Sequence, residues 1–280
     1  MTMQNETFFQ EYTSQDAILK YTRATAGHGI SYLLDHDYKK VYLEALSYLP
    51  AEIKRQGIRI LEFGCGGGMN LLHLITILDK EGIRIERAFG TDFSPVLIEA
   101  ARGESKKHLQ NSDLGKLEFH VAKNESLVDD LSKSRGIAKS ELGGYFHFII
   151  GVNTIRYCHA AGKQLDCSRD IFDLLVPGGV CVNIDMNNRY PMFRSDLKSR
   201  LRGTKEEECY VPSLEEYAAP FEKAGFELLR KEHFCWIPHS GSKFTCAVLG
   251  GMTPVLNALA RNRAMRSLVV VRKPVGAVKK

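Results

Sequence analysis

Three alternate glycines directly after a run of apolar residues constrain the fold of this chain more than any other feature. The run Ile58–Phe63 predicts a buried strand, and Gly64, Gly66 and Gly68 follow it. Residues 70–78 then carry leucines and isoleucines at helical spacing. Glycines here allow a sharp turn and let a ligand approach the backbone where a Cβ would collide with it. The pattern therefore predicts a strand, a ligand-binding loop and a helix.

Two kinds of nucleotide-cofactor loop compete for this pattern. The dinucleotide fingerprint G-x-G-x-x-G/A needs a small third residue so that the helix can pack closely on the strand. Met69 occupies that position, so the fingerprint fails. The spacing of Glu62, Gly64, Gly66 and Gly68 instead resembles E-x-G-x-G-x-G, motif I of the class I S-adenosylmethionine-dependent methyltransferases.

The next predicted strand, residues 85–92, strengthens the resemblance because it ends on a carboxylate, Asp92. Ser94 and Pro95 then have the residue types of an N-cap and a first helical residue. The turn Asp92-Phe93-Ser94-Pro95 lies at the family's spacing. The resemblance implies that Asp92 accepts hydrogen bonds from both ribose hydroxyls of the cofactor.

The resemblance implies S-adenosyl-L-methionine as the cofactor and S-adenosyl-L-homocysteine as the product. The family often has an acidic residue near the adenine after the third strand, but this chain has Lys123 there. Asn124 or a backbone carbonyl could serve the adenine instead, with the Lys123 side chain pointing to solvent. The implied cofactor-binding residues are Glu62, Gly64, Cys65, Gly66, Gly68, Asp92, Phe93, Asn124 and Asn153.

Strands and helices alternate from residue 58 onward, which predicts an α/β fold with a Rossmann-like, doubly wound sheet. Further strands are predicted at residues 116–121, 145–151, 179–185, 227–236 and 265–272. In the family the last two strands form an antiparallel hairpin at the edge of a mostly parallel seven-stranded sheet. The resemblance covers residues 58–273, the predicted methyltransferase domain.

Three regions lie outside this minimal core. Residues 1–57 predict N-terminal helices whose aromatic side chains either form a lid over the cofactor or pack onto the domain. Residues 187–212 and 238–264 are predicted helical insertions on the substrate side, where specificity should lie because ligands bind at the carboxyl ends of the strands. Thr253 and Pro254 predict the start of a short helix whose Val255, Leu256 and Leu259 pack on the core, line a pocket or make a dimer contact. Residues 274–280 form a basic tail.

Candidate catalytic residues follow the fourth and fifth strands. Tyr157 and His159 lie after the fourth strand, beside Asn153 and Arg156, where the family commonly places groups near the transferring methyl. Asp185 and Asn187 follow the fifth strand and could orient the substrate, and Asn188 is expected to cap the loop. A further candidate is His28, between two glycines. Each of these residues could also serve only in packing or capping.

The composition narrows the function classes. A hydrophobic fraction of 44% suits a globular protein, and no segment resembles a membrane span or a secretory leader. The lack of both predicts a cytoplasmic location. Seven cysteines without a C-x-x-C pair indicate reduced, mostly buried thiols. Nine histidines without metal-ligand spacing do not support a metal site. A net charge of +5 without a basic and aromatic stripe does not favour a nucleic-acid partner.

The sequence therefore predicts methyl transfer to an oxygen, nitrogen or carbon atom of a small molecule, in quinone or secondary-metabolite biosynthesis. One alternative is an RNA or protein methyltransferase, although Asn153-Thr-Ile-Arg replaces the N/D-P-P-Y/F/W signature of many nucleic-acid amino methylators. Another is a noncatalytic relative that keeps the cofactor site. A homodimer is a further possibility that the sequence leaves open.

Overall fold

Seven strands form one sheet in a computed structural model of the protein, which describes residues 22, 27–191 and 211–276. Their order across the sheet is β3-β2-β1-β4-β5-β7-β6. The strands are β1 Ile58–Phe63, β2 Ile85–Asp92, β3 Leu117–Val121, β4 Phe146–Val152, β5 Leu175–Met186, β6 Glu227–Phe234 and β7 Arg266–Arg272.

The pairing of these strands is mostly parallel. The four contacts among β1 to β5 are parallel, whereas β7 pairs antiparallel with both β5 and β6. This confirms the predicted doubly wound sheet with an antiparallel edge hairpin. The predicted start of β5 at residue 179 was wrong, because Leu175 already pairs with Phe146 and an irregular register follows before Val180.

Helices cover both faces of the sheet. They are α1 His28–Tyr32, α2 Lys39–Ser47, α3 Ala51–Gln56, α4 Met69–Lys80, α5 Pro95–His108, α6 Asn111–Leu114, α7 Leu127–Arg135, α8 Lys139–Leu142, α9 Ile155–Ala160, α10 Gln164–Leu174, α11 Leu214–Lys223 and α12 Lys243–Ala260. A π-helix, Leu33–Tyr38, joins α1 to α2. Short 3₁₀ turns occupy Asn124–Ser126 and Arg261–Arg263.

Two hydrophobic cores arise because alternate residues of a strand point to opposite faces of the sheet. Ile60 and Phe148 pack with α2 and α4 on one face. Leu61 and Ile149 pack with α7, α10 and α11 on the other. Every residue of β4 is buried, as expected for a strand covered on both faces.

The N-terminal helical segment, residues 28–47, packs onto the first core. Tyr38 and Tyr42 are almost fully buried. The ring Nε2 of buried His73 in α4 lies 2.5 Å from the Leu34 carbonyl oxygen, which attaches the segment to the domain. These aromatics therefore pack on the domain, and a lid function for residues 1–57 stays a prediction. Other aromatics expected in this region, at positions 8, 9, 12 and 21, lie outside the described residues.

The insertion between β6 and β7 corrects one prediction. Its helix α12 begins at Lys243, capped by the Ser242 hydroxyl, and Pro254 lies inside the helix rather than at its start. Close packing on α1 accompanies the longer helix, since a Cβ at Gly250 would lie 2.5 Å from the Tyr32 hydroxyl oxygen.

Three interpretations were open for the apolar face predicted on this helix: packing on the core, lining a pocket or making a dimer contact. The exposure of its residues does not favour packing on the core. Val255 and Leu259 are 56% and 81% exposed, and Phe244 is 77% exposed. Together with Val248 and Met252 they form one exposed apolar stripe along α12. Local periodicity identified an apolar face, but the side of α12 that packs on α1 is a different one.

Two further helices begin with a side-chain cap, and the first of these caps confirms the prediction at Ser94. The Ser94 hydroxyl accepts from the Leu97 amide at the start of α5, where Pro95 is the first residue. Ser213 and Glu216 form a reciprocal capping box at α11, which contains Pro220 and ends at Lys223, two residues before Gly225.

Sulfur, metal and membrane features can be assessed for the part of the chain that the structure describes. Its six cysteines, at 65, 158, 167, 181, 235 and 246, are buried and form no disulfide. In the same residues no group of three or more His, Cys, Asp and Glu side chains could hold a metal ion. None of the described helices is long and apolar enough to span a membrane.

Candidate active site

The glycine loop between β1 and α4 brings several strand ends together. Gly64, Gly66 and Gly68 all have positive φ angles, of 61°, 53° and 81°, which only glycine adopts readily. A Cβ at Gly64 would lie 2.0 Å from the Thr154 hydroxyl oxygen and 3.3 Å from the Asn124 amide nitrogen. The loop therefore contacts residues that follow β3 and β4, at the carboxyl edge where ligands bind on open α/β sheets.

Asp92, at the end of β2, is held by the same loop. Its carboxylate accepts the Gly66 amide at 2.9 Å on one oxygen and the Ser94 amide at 2.9 Å on the other. Burial raises the pKa of Asp92, and the two amides oppose that shift. Each carboxylate oxygen has a second lone pair, so two further donors, such as the hydroxyls of a ribose, could bind.

Glu62 lies under the start of α4 and is fully buried. One carboxyl oxygen accepts the Leu71 amide at 2.8 Å, while the other, Oε1, has no partner among the described residues. Burial raises the pKa of Glu62 to about 8, and the neighbouring Asp92 adds to the shift. The orphan oxygen is suited to a cationic donor such as an amino-acid ammonium group.

Asn124, which follows β3, presents a second acceptor without a partner close to Gly64. Its amide nitrogen donates to the Thr154 hydroxyl at 2.6 Å, while its buried oxygen Oδ1 has no partner in the described part of the chain. Lys123 is exposed, as predicted. The arrangement fits S-adenosylmethionine, which carries donors at its ammonium, ribose and adenine groups. Cys65 and Phe93 lie in the same turns, Cys65 fully inside and Phe93 half-buried.

A second polar group follows β4 and β5. Asp185 is fully buried, and one of its carboxylate oxygens lies 3.7 Å from the Arg156 guanidinium. The other oxygen accepts a hydrogen bond from the backbone amide of Arg156 at 3.3 Å. The Tyr157 hydroxyl contacts the same guanidinium at 2.5 Å, and the ring stacks under it. The structure therefore brings Tyr157 and Asp185 together through Arg156.

His159 lies one turn further along α9. Its ring meets the Tyr217 ring edge-on at 5.6 Å between centroids, and its Nε2 is buried without a partner in the described residues. Burial lowers the pKa of His159, while Asp185 and Glu216 oppose the shift. The imidazole is therefore neutral at ordinary pH and able to accept a proton.

Asn153 has a positive φ of 57° at the end of β4, and its side chain turns toward β7. Its amide oxygen accepts from the Arg266 guanidinium at 2.5 Å, and the other end of that guanidinium contacts the His239 ring. Sequence reasoning missed Arg266 and His239. The available signal was a charged residue at the start of an otherwise apolar strand.

Two of the candidate residues are not part of this buried group. His28 is exposed at the first turn of α1. Asn187 is buried, but its amide nitrogen donates to the carbonyls of Asn262 and Ala264 and its oxygen accepts the Arg189 amide. Those three bonds fix the loop after β5, so Asn187 has a structural role.

A family model described as a methyltransferase domain matches residues 34–231 of the chain. A search of curated proteins gave no match. The matched range contains the glycine loop, Asp92, Asn124 and the polar group after β4 and β5.

Solved structures with the same fold have low sequence identity. The C-methyltransferase domain of the citrinin polyketide synthase aligns at 17% identity and a TM-score of 0.59, over 95% of this chain and 59% of that one. A protein solved for the conversion of a disulfide bond into a thioacetal group during echinomycin biosynthesis aligns at 17% identity and 0.57, over 97% and 94%. An S-adenosylmethionine-dependent methyltransferase from Mesorhizobium loti aligns at 16% and 0.52, over 85% and 99%.

Proposed function

The chain belongs to the class I S-adenosylmethionine-dependent methyltransferase family, and on that premise we propose that it transfers the cofactor's methyl group to a small molecule. The observation that carries this proposal is the meeting of four strand ends at one loop. Asp92, Glu62 and Asn124 offer buried acceptor oxygens around the glycine turn.

Each acceptor has a separate task in the proposed complex. Asp92 binds the ribose hydroxyls, Glu62 the ammonium of the methionine portion and Asn124 the adenine. The cofactor supplies a methyl group already activated by a positive sulfonium. The protein therefore needs mainly to align the acceptor atom and exclude water.

The polar group after β4 and β5 is the proposed reaction side of the site. Asp185 and Tyr157 hold the Arg156 guanidinium, and His159 offers a neutral ring nitrogen. A carbon nucleophile or a protonated amine would need such a proton acceptor, whereas a phenolate or a carboxylate would not. Natural-product enzymes among the structural neighbours support a small-molecule acceptor by fold analogy alone.

The N-terminal helical segment is proposed to keep water from the site. Tyr42 lies close enough to Glu62 for the carboxylate to raise the pKa of its hydroxyl, in addition to the effect of burial. Burial raises the pKa of Tyr38 to about 12, Arg266 opposes this shift and Asp185 adds to it. The two buried tyrosines therefore lie near charged groups of both the cofactor side and the reaction side.

Calorimetric titration of the full chain with S-adenosylhomocysteine and, separately, with NADH tests the cofactor assignment. We expect micromolar binding of S-adenosylhomocysteine and none of NADH. The reverse result, or binding of neither compound, would refute the proposal. A chain that binds S-adenosylhomocysteine but methylates RNA or protein and no small molecule would support the alternative acceptor class. The cytoplasmic location and the homodimer stay predictions, and sedimentation velocity tests the second.

A further inference from the structure

Arg266 is a buried cation for which the described residues supply no counter-ion. Arg266 is the first residue of β7 and is 2% exposed. The guanidinium donates to the Asn153 amide oxygen at 2.5 Å and contacts the His239 ring nitrogen, and its Nε has no acceptor. In the described part of the chain no carboxylate forms an ion pair with it, whereas most other buried or half-buried arginines here have one. A buried charge without a counter-charge is costly unless a ligand supplies one.

Both partners of Arg266 are neutral. The Asn153 amide carries no charge. Burial, together with Arg266 and Arg156, lowers the pKa of His239 to about 3, so its ring is uncharged at ordinary pH. Asp185, the nearby buried carboxylate, already pairs with Arg156 and accepts two backbone amides. Its charge is therefore balanced by a different arginine.

The position of Arg266 connects it to the reaction side of the site. It pairs with Met186 at the end of β5 and with Phe234 at the end of β6. Asn153, which it contacts, directly follows β4. Arg266 therefore lies at the carboxyl edge of the parallel strands, the same edge that carries the glycine loop.

Tyr38 adds a second unfilled donor. Its hydroxyl is buried and has no partner in the described residues. The centroid of the Tyr38 ring lies 6.1 Å from that of Phe234, the residue that pairs with Arg266 in the sheet. Burial raises the pKa of Tyr38 to about 12, so the hydroxyl keeps its proton. The Arg266 guanidinium and the Tyr38 hydroxyl thus offer unfilled donors in the same part of the protein interior.

Resting on the proposed function, we propose that the methyl acceptor is a carboxylic acid whose carboxylate is bound by Arg266 and Tyr38. A carboxylate presents two coplanar oxygens that match the guanidinium fork. It also carries the single negative charge that balances one arginine, whereas a phosphate dianion would leave a charge unpaired. The carboxylate is the group that anchors the acceptor, and the methylated atom lies elsewhere on the molecule.

Matched probe pairs test this inference on the full chain saturated with S-adenosylhomocysteine. The probes are benzoate, 4-hydroxybenzoate, phenylacetate and hexanoate, each compared with its primary amide by ligand-observed NMR titration. We expect at least one carboxylate to bind about tenfold or more tightly than its amide, as a charge-assisted pair requires. No carboxylate binding better than its amide, with S-adenosylhomocysteine bound, would overturn the inference and leave the proposed function standing. A chain that does not bind S-adenosylhomocysteine would overturn both.

Single substitutions test which side chains bind the carboxylate. Arg266→Gln should abolish the preference for the carboxylate without changing the affinity for S-adenosylhomocysteine, and Arg266→Lys should restore part of it. Arg272→Gln is the matched control, because Arg272 lies at the other end of β7 and pairs with Glu227. Tyr38→Phe keeps the buried ring and should weaken carboxylate binding about fivefold. If Arg266→Gln does not fold, Tyr38→Phe decides, and an unchanged carboxylate affinity in that variant contradicts the proposed anchor.

Discussion

We expect the protein to release a proton from Glu62 when it binds S-adenosylhomocysteine. Replacing Glu62 with glutamine should abolish this proton release. Glu62 is fully buried, and its pKa is raised to about 8, first by burial. The Asn70 side chain and the Leu71 amide oppose the shift, and Asp92 adds to it. At pH 7 the free protein therefore carries a protonated Glu62. A bound ammonium beside Oε1 favours the ionised form, so binding should expel the proton.

The size of the effect follows from the pKa. A group with a pKa of about 8 is about 90% protonated at pH 7, so about 0.9 proton leaves if the complex holds Glu62 ionised. The affinity should then rise about ninefold between pH 6 and pH 7. The interval stops at pH 7 because α-amino groups begin to lose their own proton at about pH 7.7 to 8.0.

The raised pKa of Glu62 also makes the free energy of unfolding depend on pH. A carboxyl whose pKa is raised in the folded state binds its proton more tightly there than in the unfolded chain. The raised pKa therefore does not change the free energy of unfolding below the unfolded value of 4.5, and it destabilises the ligand-free fold increasingly as the pH rises above that value. Glu62→Gln should remove that loss, which is on the order of 5 kcal/mol at full ionisation.

Calorimetry in buffers of different ionisation enthalpy measures the released proton directly. Wild type should release about one proton at pH 7 and Glu62→Gln none. Asp170→Asn is a matched control, since burial also raises the pKa of Asp170, to about 6, but its carboxylate caps Val128 at the start of α7. That variant should behave like wild type. Equal proton release by wild type and Glu62→Gln would refute the assignment of Glu62 to the ammonium.

Three further perturbations test the site and the fold. Asp92→Asn should weaken S-adenosylhomocysteine binding by about 1.5 to 3 kcal/mol through loss of a charged acceptor, and an unchanged affinity by calorimetry would contradict the ribose assignment. Gly64→Val should abolish binding with the far-ultraviolet dichroism retained, because a Cβ there would lie 2.0 Å from the Thr154 hydroxyl oxygen; retained binding would sink the loop assignment. Ser213→Ala should lower the free energy of unfolding in urea by about 1 kcal/mol through loss of the capping box, and an unchanged midpoint would mean that water replaces the cap.

Local patterns in the sequence predicted the first two strands, the loop between β1 and α4 and the start of α5 well. The bounds of β1 and β2, the glycine turn and the cap at Ser94 all depend on residues within a few positions of one another. Their side-chain periodicity and backbone preferences are therefore visible in the sequence. The same holds for Asp92, which follows directly from its strand.

Long-range contacts account for what the sequence could not supply. Asn153 and Arg266 are 113 positions apart and meet only because β7 inserts antiparallel beside β5. The start of helix α12 was predicted wrongly for a similar reason, because the periodicity of the helix does not show its packing on α1.

The sequence by itself determined the sheet, the loop after β1 and the acidic end of β2, because short-range backbone preferences and alternating burial fix them. Only the tertiary structure decided which polar groups are buried without a partner. Glu62, Asn124 and Arg266 belong to three separate segments, and each acquires its unsatisfied atom only when neighbouring strands exclude water from it.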